Sequence, residues 1–523
     1  MKNLLTLRNT RRVAQVFFFS LFLFLSFITD LRYLKGYPAS LFLELDPLVA
    51  FATAITTHTV YMGLLWSLLL IVPTLLFGRI FCNWICPYGI LHHVTGWLFG
   101  QGRAPERARI EGNRYRKWYS WKYAILIAMI VTAICGSLQI GWLDPICLFH
   151  RSMNTAILPM INLFLPSSVY VRQYFQVGAW IIGFLLLFLV GLNVLIPRFF
   201  CRTLCPLGAF LGTLSMASLW RIDRDPAKCV DCDLCLKNCE GASDPQTQLR
   251  KSECFVCFNC LESCPTDAIS FKFMPPLKRE VTAPAVPGRR AFLGTLIGLG
   301  FYAFGRTSGA SDSNYSKKVI RPPGSVEEKA FLDRCLKCDQ CIRVCPTNVL
   351  QPALMESGLE GVWTPILNMK TGFCEVNCTL CSQVCPTGAI QRITIEEKTG
   401  TGAFASEGPI KLGTAFYDYG RCLPWAMETP CVVCEEVCPV SPKAIYSREV
   451  TITKRDGTPI TLRRPSVDPA LCIGCGSCEH ECPVADEAAI RVSAIGETRS
   501  HERRLLLDGG VTRAARDPAK REP

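Results

Sequence analysis

Residues 254–265 read Cys-Phe-Val-Cys-Phe-Asn-Cys-Leu-Glu-Ser-Cys-Pro, in which three cysteines follow one another at two-residue intervals. A fourth cysteine comes three residues later and precedes a proline. Such short gaps let one tight loop present three thiolates to a [4Fe–4S] cluster, while the fourth cysteine reaches a neighbouring cluster. This stretch therefore predicts a small α+β domain of the bacterial ferredoxin type.

The pattern recurs along the chain, and five of its six copies end in Cys-Pro. Zinc sites also use Cys-x-x-Cys, and 30 cysteines could form disulfides, but neither explains the third cysteine and the repeated Cys-x-x-x-Cys-Pro. We therefore predict six [4Fe–4S] clusters. The quartets are Cys229, Cys232, Cys235 and Cys239; Cys254, Cys257, Cys260 and Cys264; Cys335, Cys338, Cys341 and Cys345; Cys374, Cys378, Cys381 and Cys385; Cys422, Cys431, Cys434 and Cys438; and Cys472, Cys475, Cys478 and Cys482.

Crossed ligation pairs the first two quartets. It gives one cluster to Cys229, Cys232, Cys235 and Cys264, and the other to Cys254, Cys257, Cys260 and Cys239. Cys239 precedes Glu240 instead of proline. For the last four quartets, adjacent and nested pairings both fit the spacing. The longer first gaps of the fourth and fifth quartets leave ligand assignment there open.

The chain upstream of the quartets has the composition of a membrane domain. Four uncharged runs, at 13–29, 60–77, 123–143 and 177–197, are each long enough to cross a hydrocarbon core of about 30 Å. The mean hydropathy of the whole chain is +0.24, which is high for a soluble protein. We predict that residues 1–220 form a membrane α-helical domain with four spans.

This domain contains a duplication. Leu45-Asp46-Pro47-Leu48 recurs as Leu143-Asp144-Pro145-Ile146, and each copy precedes a helix that ends in Phe-Cys-x-x-x-Cys-Pro-x-Gly. The four spans are therefore expected to form two duplicated hairpins. Their cysteines, four residues apart on a helix, would share a face: Cys82, Cys86, Cys201 and Cys205.

These four cysteines support a further cluster or metal site, a set of redox-active thiols, or apolar packing. Asp46 and Asp144 are expected to begin or cap helices, with quinone chemistry as the alternative. His92 and His93 fit either a solvated interfacial pair or proton handling next to a quinol.

The placement of basic residues indicates orientation. The chain has a net charge of +13. The segment from residue 79 to residue 122 contains eight Lys and Arg residues but only two Glu residues. Basic segments beside spans remain on the cytoplasmic side, so this charge indicates a bacterial inner membrane and not nucleic-acid binding. The N-terminus and a ferredoxin domain at 221–275 are expected in the cytoplasm.

A linker and a signal-like segment occupy residues 276–310. Gly288-Arg289-Arg290-Ala291-Phe292-Leu293 opens a short apolar run, typical of a twin-arginine export signal; a short fifth span is the alternative, and removal of the segment is left open. Both interpretations place a four-cluster domain, at 311–498, in the periplasm. Residues 499–523 are charged, lack cysteine and are expected to be a disordered tail.

Residues 1–275 resemble the NapH-type membrane ferredoxin of periplasmic nitrate reductase systems, on the basis of the four spans, both Cys-x-x-x-Cys-Pro motifs and the first two quartets. Residues 288–495 resemble the exported NapG/MauM-type ferredoxin, on the basis of the twin-arginine start and four quartets. The resemblance implies a natural fusion with quinol dehydrogenase activity, which passes electrons from the quinone pool to a periplasmic cytochrome or reductase. An alternative is a maturation factor that reduces a metal or cofactor centre of a periplasmic enzyme.

Overall fold

A computed structural model describes the chain in ten stretches: 7–28, 39–59, 61–162, 176, 178–247, 249–274, 288–305, 319–454, 457–484 and 486–498. Three predicted segments lie outside these stretches: the tail at 499–523, the linker residues 276–287 and the end of the signal-like segment at 308–310. Within the ten stretches the chain divides into two compact units. Of the described residues, those within 7–162, 178–305 and 333–338 form the first unit, and those within 319–332 and 339–498, with residue 176, form the second.

The first unit is mostly helical. Its helices are α1 (Leu7–Ile28), α2 (Leu41–Glu44), α3 (Pro47–Thr57), α4 (Leu68–Phe77), α5 (Phe81–Trp84), α6 (Pro87–Leu98), α7 (Glu106–Gly112), α8 (Trp121–Ile134), α9 (Pro145–Ser152), α10 (Leu158–Asn162), α11 (Ala179–Gly191), α12 (Phe199–Thr203), α13 (Pro206–Ser215), α14 (Leu234–Lys237), α15 (Asn259–Ser263) and α16 (Gly288–Gly305).

Among the described residues, one helix is both long and apolar enough to cross a membrane, namely Leu7–Ile28 near the N-terminus. The other apolar helices are shorter: Pro47–Thr57, Met62–Phe77, Ala179–Val194 and Pro206–Ser215. One such helix is weak evidence for a membrane domain, because signal sequences and buried core helices have the same composition. The four predicted spans therefore remain a prediction.

The third apolar run differs most from its predicted helix. Helix α8 ends at Ile134 instead of continuing to residue 143, because Gly136 adopts a left-handed conformation with φ of 85°. The chain then makes a short 3-10 turn, Ile140–Trp142, before α9. This turn lets Asp144 start a new helix.

The duplicated Asp-Pro motifs begin equivalent helices, as predicted. The Asp46 carboxylate accepts hydrogen bonds from the backbone N–H groups of Leu48 and Val49, and the Asp144 carboxylate accepts them from Ile146 and Cys147. Proline at the first helical position fits because its missing N–H would have no partner there. Capping is therefore a confirmed role of both aspartates.

The sheets are small, two-stranded and antiparallel. In the first unit, β1 (Trp220–Arg224) pairs with β2 (Ile269–Phe273), so this sheet closes the segment that holds the first two quartets. The second unit contains β3 (Leu350–Pro352), β4 (Pro365–Leu367), β5 (Thr414–Tyr417), β6 (Ile445–Thr453), β7 (Pro459–Val467) and β8 (Ile490–Ser493), paired as β3–β4, β5–β8 and β6–β7. Its helices are α17 (Glu328–Leu332), α18 (Gln340–Arg343), α19 (Leu380–Gln383), α20 (Ile395–Thr399), α21 (Leu423–Ala426), α22 (Val433–Glu436) and α23 (Ser477–His480).

Candidate iron–sulfur sites

Four quartets share one backbone conformation in the loop that carries their first three cysteines. Two residues of each loop, the second and the fourth after the first cysteine, have positive φ angles: Asp231 and Asp233, Val256 and Phe258, Lys337 and Asp339, and Gly474 and Gly476. Positive φ is uncommon outside glycine and is costly for β-branched valine. The same conformation in four separate loops, three of which hold residues other than glycine at both positions, indicates that the cysteine positions, and not the intervening side chains, determine the loop shape.

The fourth cysteine of a quartet receives a backbone hydrogen bond in four cases. The N–H of Ala268 donates to Cys264 Sγ at 3.2 Å, and the N–H of Ser243 donates to Cys239 Sγ at 3.4 Å. Equivalent bonds of 3.4 Å reach Cys385 from Ile390 and Cys482 from Ala489. Donors aimed at sulfur favour the thiolate form, which is the form that binds iron.

The Cys264 thiol shows the effect of these donors. Its slight burial would raise its pKa, but the backbone and hydroxyl of Thr266 and the backbone N–H groups of Ala268 and Ile269 together bring the pKa below its ordinary value. This cysteine is therefore prepared for metal binding by its local backbone.

The fourth and fifth quartets do not share this loop conformation: the described residues between the cysteines of the fourth have no positive φ, and the fifth has one, Glu428 with a φ of 50°, in its eight-residue first gap. They use side chains instead. Lys398 Nζ donates to Cys374 Sγ at 3.3 Å, and the Tyr417 hydroxyl lies 3.1 Å from Cys434 Sγ. Burial nevertheless raises the pKa of Cys374 to about 11. In the two quartets with irregular gaps, side-chain hydrogen bonds to the sulfur atoms thus accompany a different loop conformation.

The spatial relations of the cysteines follow a crossed pattern. Cys239, the last of the first quartet, lies close enough to interact electrostatically with the first three cysteines of the second quartet: Cys254, Cys257 and Cys260.

The second unit repeats this pattern, which the spacing alone left open. Cys345 interacts with Cys374, Cys378 and Cys381. Cys438 interacts with Cys472, Cys475 and Cys478, and Cys482 interacts with Cys422. The third quartet is therefore associated with the fourth, and the fifth with the sixth, so the adjacent scheme describes the structure and the nested scheme does not.

All 30 cysteines are free, so the disulfide interpretation is wrong. Within the described residues, no group of three or more His, Cys, Asp and Glu side chains is close enough to bind a single metal ion. The crossed sets, in which the fourth cysteine of one quartet lies near the first three of the next, fit paired [4Fe–4S] clusters.

Cys82, Cys86, Cys201 and Cys205, here called the helical cysteine set, lie together in the core of the first unit. Each is at most 8% exposed, and every one of the six pairs among them interacts electrostatically. The duplicated motifs thus meet at one place.

The prediction that each pair lies on one continuous helix is wrong. Cys82 lies in α5 and Cys201 in α12, whereas Cys86 and Cys205 precede α6 and α13 as their capping residues. Proline after the second cysteine disfavours helical conformation at that cysteine and so starts a new helix. The new helix offers its free N–H groups: Gly89 donates to Cys86 Sγ at 3.4 Å and Gly208 donates to Cys205 Sγ at 3.1 Å.

Buried polar groups around the helical cysteine set have unused hydrogen-bonding capacity. Arg79 is fully buried, and Arg198 and Tyr88 are 3% and 0% exposed. The Nε atoms of both arginines and the Tyr88 hydroxyl have no hydrogen-bond partner in the described part of the chain. Arg79 Nη2 lies 3.8 Å from Cys82 Sγ. Unused cationic donors beside four thiols fit an anionic, thiolate-bound cluster.

Asp46 and Asp144 approach each other in the same core. Both are fully buried, and their carboxyl groups lie close enough to interact electrostatically. Two carboxylates cannot both remain charged at this range, so the pair must share a proton. Their alternative role in quinone chemistry stays a prediction.

His92 does not belong to a solvated pair, contrary to the first of the two interpretations. It is 1% exposed and its ring lies 4.8 Å from that of Tyr88 and 6.2 Å from that of Phe200. His93 is partly exposed, and its Nδ1 lies 3.6 Å from Glu240 Oε2.

Glu240 has a role that the sequence did not indicate. Its carboxylate forms ion pairs with Arg11, at 2.6 Å, and with Arg198. Burial alone would raise its pKa, but Arg198, His93 and Arg11 hold the pKa of Glu240 well below its ordinary value. The residue that replaces proline after Cys239 therefore ties the first ferredoxin segment to α1 and α12. In the sequence, the glutamate in place of proline after Cys239 was the only indication of this role.

Domain comparisons agree with this arrangement. A family described as "4Fe-4S dicluster domain" matches residues 334–389, and one described as "4Fe-4S binding domain" matches residues 465–485. Another family described as "4Fe-4S binding domain" matches residues 59–104 and 177–223. The cysteines inside these last two segments are those of the helical cysteine set. The chain thus contains 4Fe-4S ferredoxin domains.

The chain is also similar to curated electron-transport proteins. It is 33% identical to the methylamine utilization ferredoxin-type protein MauM of Methylorubrum extorquens over 42% of this chain and 89% of MauM. It is 32% identical to the ferredoxin-type protein NapG of Escherichia coli over 42% of this chain and 94% of NapG. It is 31% identical to Escherichia coli YccM, whose name provisionally assigns it to electron transport, over 44% of this chain and 60% of YccM. The chain thus spans less than two thirds of YccM. No solved structure matches the chain.

Proposed function

We propose, from the premise that this chain belongs to the family of the ferredoxin-type proteins NapG and MauM, that it is a membrane-bound iron–sulfur protein which relays electrons from quinol to a periplasmic oxidoreductase. That it is an iron–sulfur electron-transport protein follows from its ferredoxin domains and its relatives. The membrane location, the quinol donor and the periplasmic acceptor are the proposed parts. The observation that best supports electron transfer within the first unit is the convergence of the helical cysteine set in a core that also includes Phe255, from the loop of the second quartet. The quinol donor and the periplasmic acceptor rest on the resemblance to the NapH-type and NapG-type proteins.

The proposed ligands form three paired modules. The crossed contacts of Cys239, Cys345, Cys438 and Cys482 support the same exchange of the fourth cysteine in each pair. The six sets are Cys229, Cys232, Cys235 and Cys264; Cys254, Cys257, Cys260 and Cys239; Cys335, Cys338, Cys341 and Cys385; Cys374, Cys378, Cys381 and Cys345; Cys422, Cys431, Cys434 and Cys482; and Cys472, Cys475, Cys478 and Cys438.

The helical cysteine set is proposed to hold a seventh cluster. A bound cluster supplies one-electron transfer, and the chain supplies four buried thiols, two helix N-termini and the cations Arg79 and Arg198. The match of a 4Fe-4S binding domain to both segments supports this assignment.

Cys82→Ser/Cys201→Ser tests the seventh cluster. We expect the double variant to lose about four iron atoms per chain while the six quartet clusters keep their iron. Iron and sulfide analysis with EPR of the reduced protein measures this. Cys135→Ser is the matched control because Cys135 lies outside all the proposed sites. Unchanged iron in the double variant would restrict the helical cysteine set to a thiol or packing role.

The topology is proposed from charge and duplication together. The first 275 residues correspond to the NapH-type part and residues 288–495 to the NapG-type part of a fused chain. Spans at 13–29, 60–77, 123–143 and 177–197, with the basic segment 79–122 on the inner side, would leave the N-terminus and the first module in the cytoplasm. The second unit would then lie in the periplasm, with a periplasmic cytochrome or reductase as partner.

Reduction by quinol tests the relay. The purified, cluster-loaded chain in liposomes should lose its visible cluster absorbance when menaquinol or ubiquinol is added, and recover it when a periplasmic cytochrome fraction is added. No reduction by either quinol would contradict the proposed donor. Deletion of the gene should leave an intact but electron-starved acceptor. An acceptor that lacks its metal or cofactor would instead indicate a maturation factor.

A further inference from the structure

A basic cavity of about 370 Å³ lies within the first unit, among α1, α6, α7 and the turn after α11. Its lining includes seven Arg and Lys side chains but a single carboxylate, that of Glu240. Cys239, a proposed cluster ligand, also lines it. The cavity is therefore a strongly cationic site next to the first ferredoxin module.

The charges of this cavity are only partly compensated. Glu240 is already engaged by Arg11 and Arg198, whereas Arg8 and Lys237 pair with carboxylates outside the lining, Glu262 and Glu106. Arg202 is satisfied by hydrogen bonds to backbone carbonyl oxygens and to the Asn113 amide, whereas Arg12 and Arg109 form no ion pair with a carboxylate in the described part of the chain. Their charge calls for an anionic ligand.

Two buried donors reinforce this conclusion. Arg11 and Arg198 are 1% and 3% exposed. Arg11 Nε and Arg198 Nη1, neither of which was assigned to the helical cysteine set, have no hydrogen-bond partner within the described stretches. A buried donor without a partner costs free energy. A ligand that accepts hydrogen bonds would supply the missing partners of both guanidinium groups.

The rim of the cavity is apolar and open. Trp97, Val194 and Leu195 line it and are 70%, 51% and 76% exposed. A cationic interior with an apolar rim matches an amphiphile that has an anionic headgroup. We infer that this cavity binds the phosphate headgroup of an anionic phospholipid, with the acyl chains along Trp97 and Leu195. A neutral quinol would leave the uncompensated charges unmatched.

This inference rests on the membrane location proposed above, and lipid binding tests it without electron transfer. The full chain in detergent should bind phosphatidylglycerol more tightly than phosphatidylcholine in native mass spectrometry. Arg12→Gln/Arg109→Gln should weaken phosphatidylglycerol binding about thirty-fold. Arg103→Gln/Arg107→Gln removes the same charge from exposed positions outside the cavity and should bind as the parent chain does. Iron content, measured in parallel, verifies that each variant is folded.

Four outcomes would overturn the inference: equal binding of the two lipids, equal losses in the two double variants, displacement of the lipid by inorganic phosphate at a similar concentration, or displacement by one equivalent of ubiquinone. The last would assign the cavity to a quinone. A chain absent from the membrane fraction would instead contradict the proposed function.

A separate observation concerns the twin-arginine segment. Helix α16 packs lengthwise against α8, and two glycines leave no room for a side chain. A Cβ on Gly294 would lie 2.6 Å from the carbonyl oxygen of Ala124, and a Cβ on Gly298 would lie 2.6 Å from that of Ala128. Small residues four apart on both helices allow this close approach.

Both ends of α16 are also held. Arg290 Nη1 donates to the carbonyl oxygen of Lys117 at 2.5 Å, and the ring of Phe301 lies 6.3 Å from that of Trp142. We also infer that α16 remains in the mature chain as a permanent helix of the first unit and is not removed as a signal. A helix fitted to its neighbour by backbone contact contributes to folding, which a discarded signal does not require.

The mass of the mature chain tests this second inference. A C-terminally tagged chain recovered from membranes should have the full mass of 58.3 kDa plus the tag. Gly298→Leu should lower the Tm by roughly 5 °C, whereas Gly300→Leu should not, since nothing lies within 4 Å of that position. A tagged fragment that begins after residue 305, or equal Tm values for the two variants, would overturn it.

Discussion

The helical cysteine set and the ferredoxin loops hold their cysteines in place by opposite means. The helical cysteine set lies in a continuous apolar core that includes Phe22, Tyr88 and Phe149. The core of the first ferredoxin module consists of Ile222, Ile269 and two of its own cysteines. Apolar packing forms the first site before any metal arrives, whereas the second depends on the metal for its core.

Removal of iron is the strongest test of this contrast. Anaerobic chelation should unfold the segments 221–274 and 339–498, because their cores are small and their loops hold residues such as Val256 in a strained conformation. The helices of residues 7–215 should remain. Hydrogen exchange followed by mass spectrometry would resolve the two responses. Uniform loss of protection, or none, would show that the two regions do not differ.

Glu240 links the two kinds of region, and its removal should have the next largest effect. Glu240→Gln leaves Arg11 and Arg198 buried without their counter-charge, which should lower the free energy of unfolding by about 3–5 kcal/mol. Glu262→Gln is the matched control, because Glu262 pairs with the more exposed Arg8 and should cost less than about 1 kcal/mol. Chemical denaturation measures both. Similar costs would mean that the buried pair is not structurally important.

The preformed character of the helical cysteine set makes it sensitive to small volume changes. A Cβ at Gly89 would lie 2.4 Å from the carbonyl oxygen of Cys82, so Gly89→Ala should cost about 1–3 kcal/mol. Gly112→Ala, in a helix with nothing within 4 Å, should be neutral or slightly stabilising. Thermal unfolding of the two variants in detergent compares them. Unchanged stability of Gly89→Ala would show that the core around Cys82 is packed less tightly than the structure indicates.

The smallest effect is expected at the paired aspartates. Asparagine caps a helix about as well as aspartate does and brings its own hydrogen-bond donor, so Asp46→Asn should change stability by less than about 1 kcal/mol. Asp46→Ala removes the cap and should cost more. The difference between the two variants, measured by thermal unfolding, isolates the contribution of the helix cap at Asp46. Equal losses would leave no separate contribution for it.

The duplicated Asp-Pro motif predicted the aspartate caps well, because capping depends on local geometry, and cysteine spacing identified the loops that carry the quartets. Pairing among the last four quartets could not be predicted, since Cys345 meets Cys374 through the fold and not through spacing. Pro87 is the sequence signal for the helix break at Cys86. The four-residue spacing of Cys82 and Cys86 points the other way, to one continuous helix. Glycine at position 136 similarly ended α8 early.

The buried partners of Glu240 were not predictable in the same way. Arg11 and Arg198 are separated from it by 229 and 42 positions in sequence, and an ion pair over such separations leaves no periodic pattern. His92 illustrates the same limit, because its contact with Tyr88 follows from four-residue helical spacing, whereas nothing near it in sequence indicates that Phe200 packs against its ring.

The duplication has an evolutionary consequence. Each half of the helical domain supplies two of the four thiols and one of the two neighbouring carboxyls, so neither half can assemble this centre alone. A progenitor encoded as a single half would have required a second copy of itself, which makes the present chain the covalent equivalent of a homodimer. Once joined, the halves were free to diverge, as His92 and His93 in the first half, with no counterpart after Cys205, already illustrate.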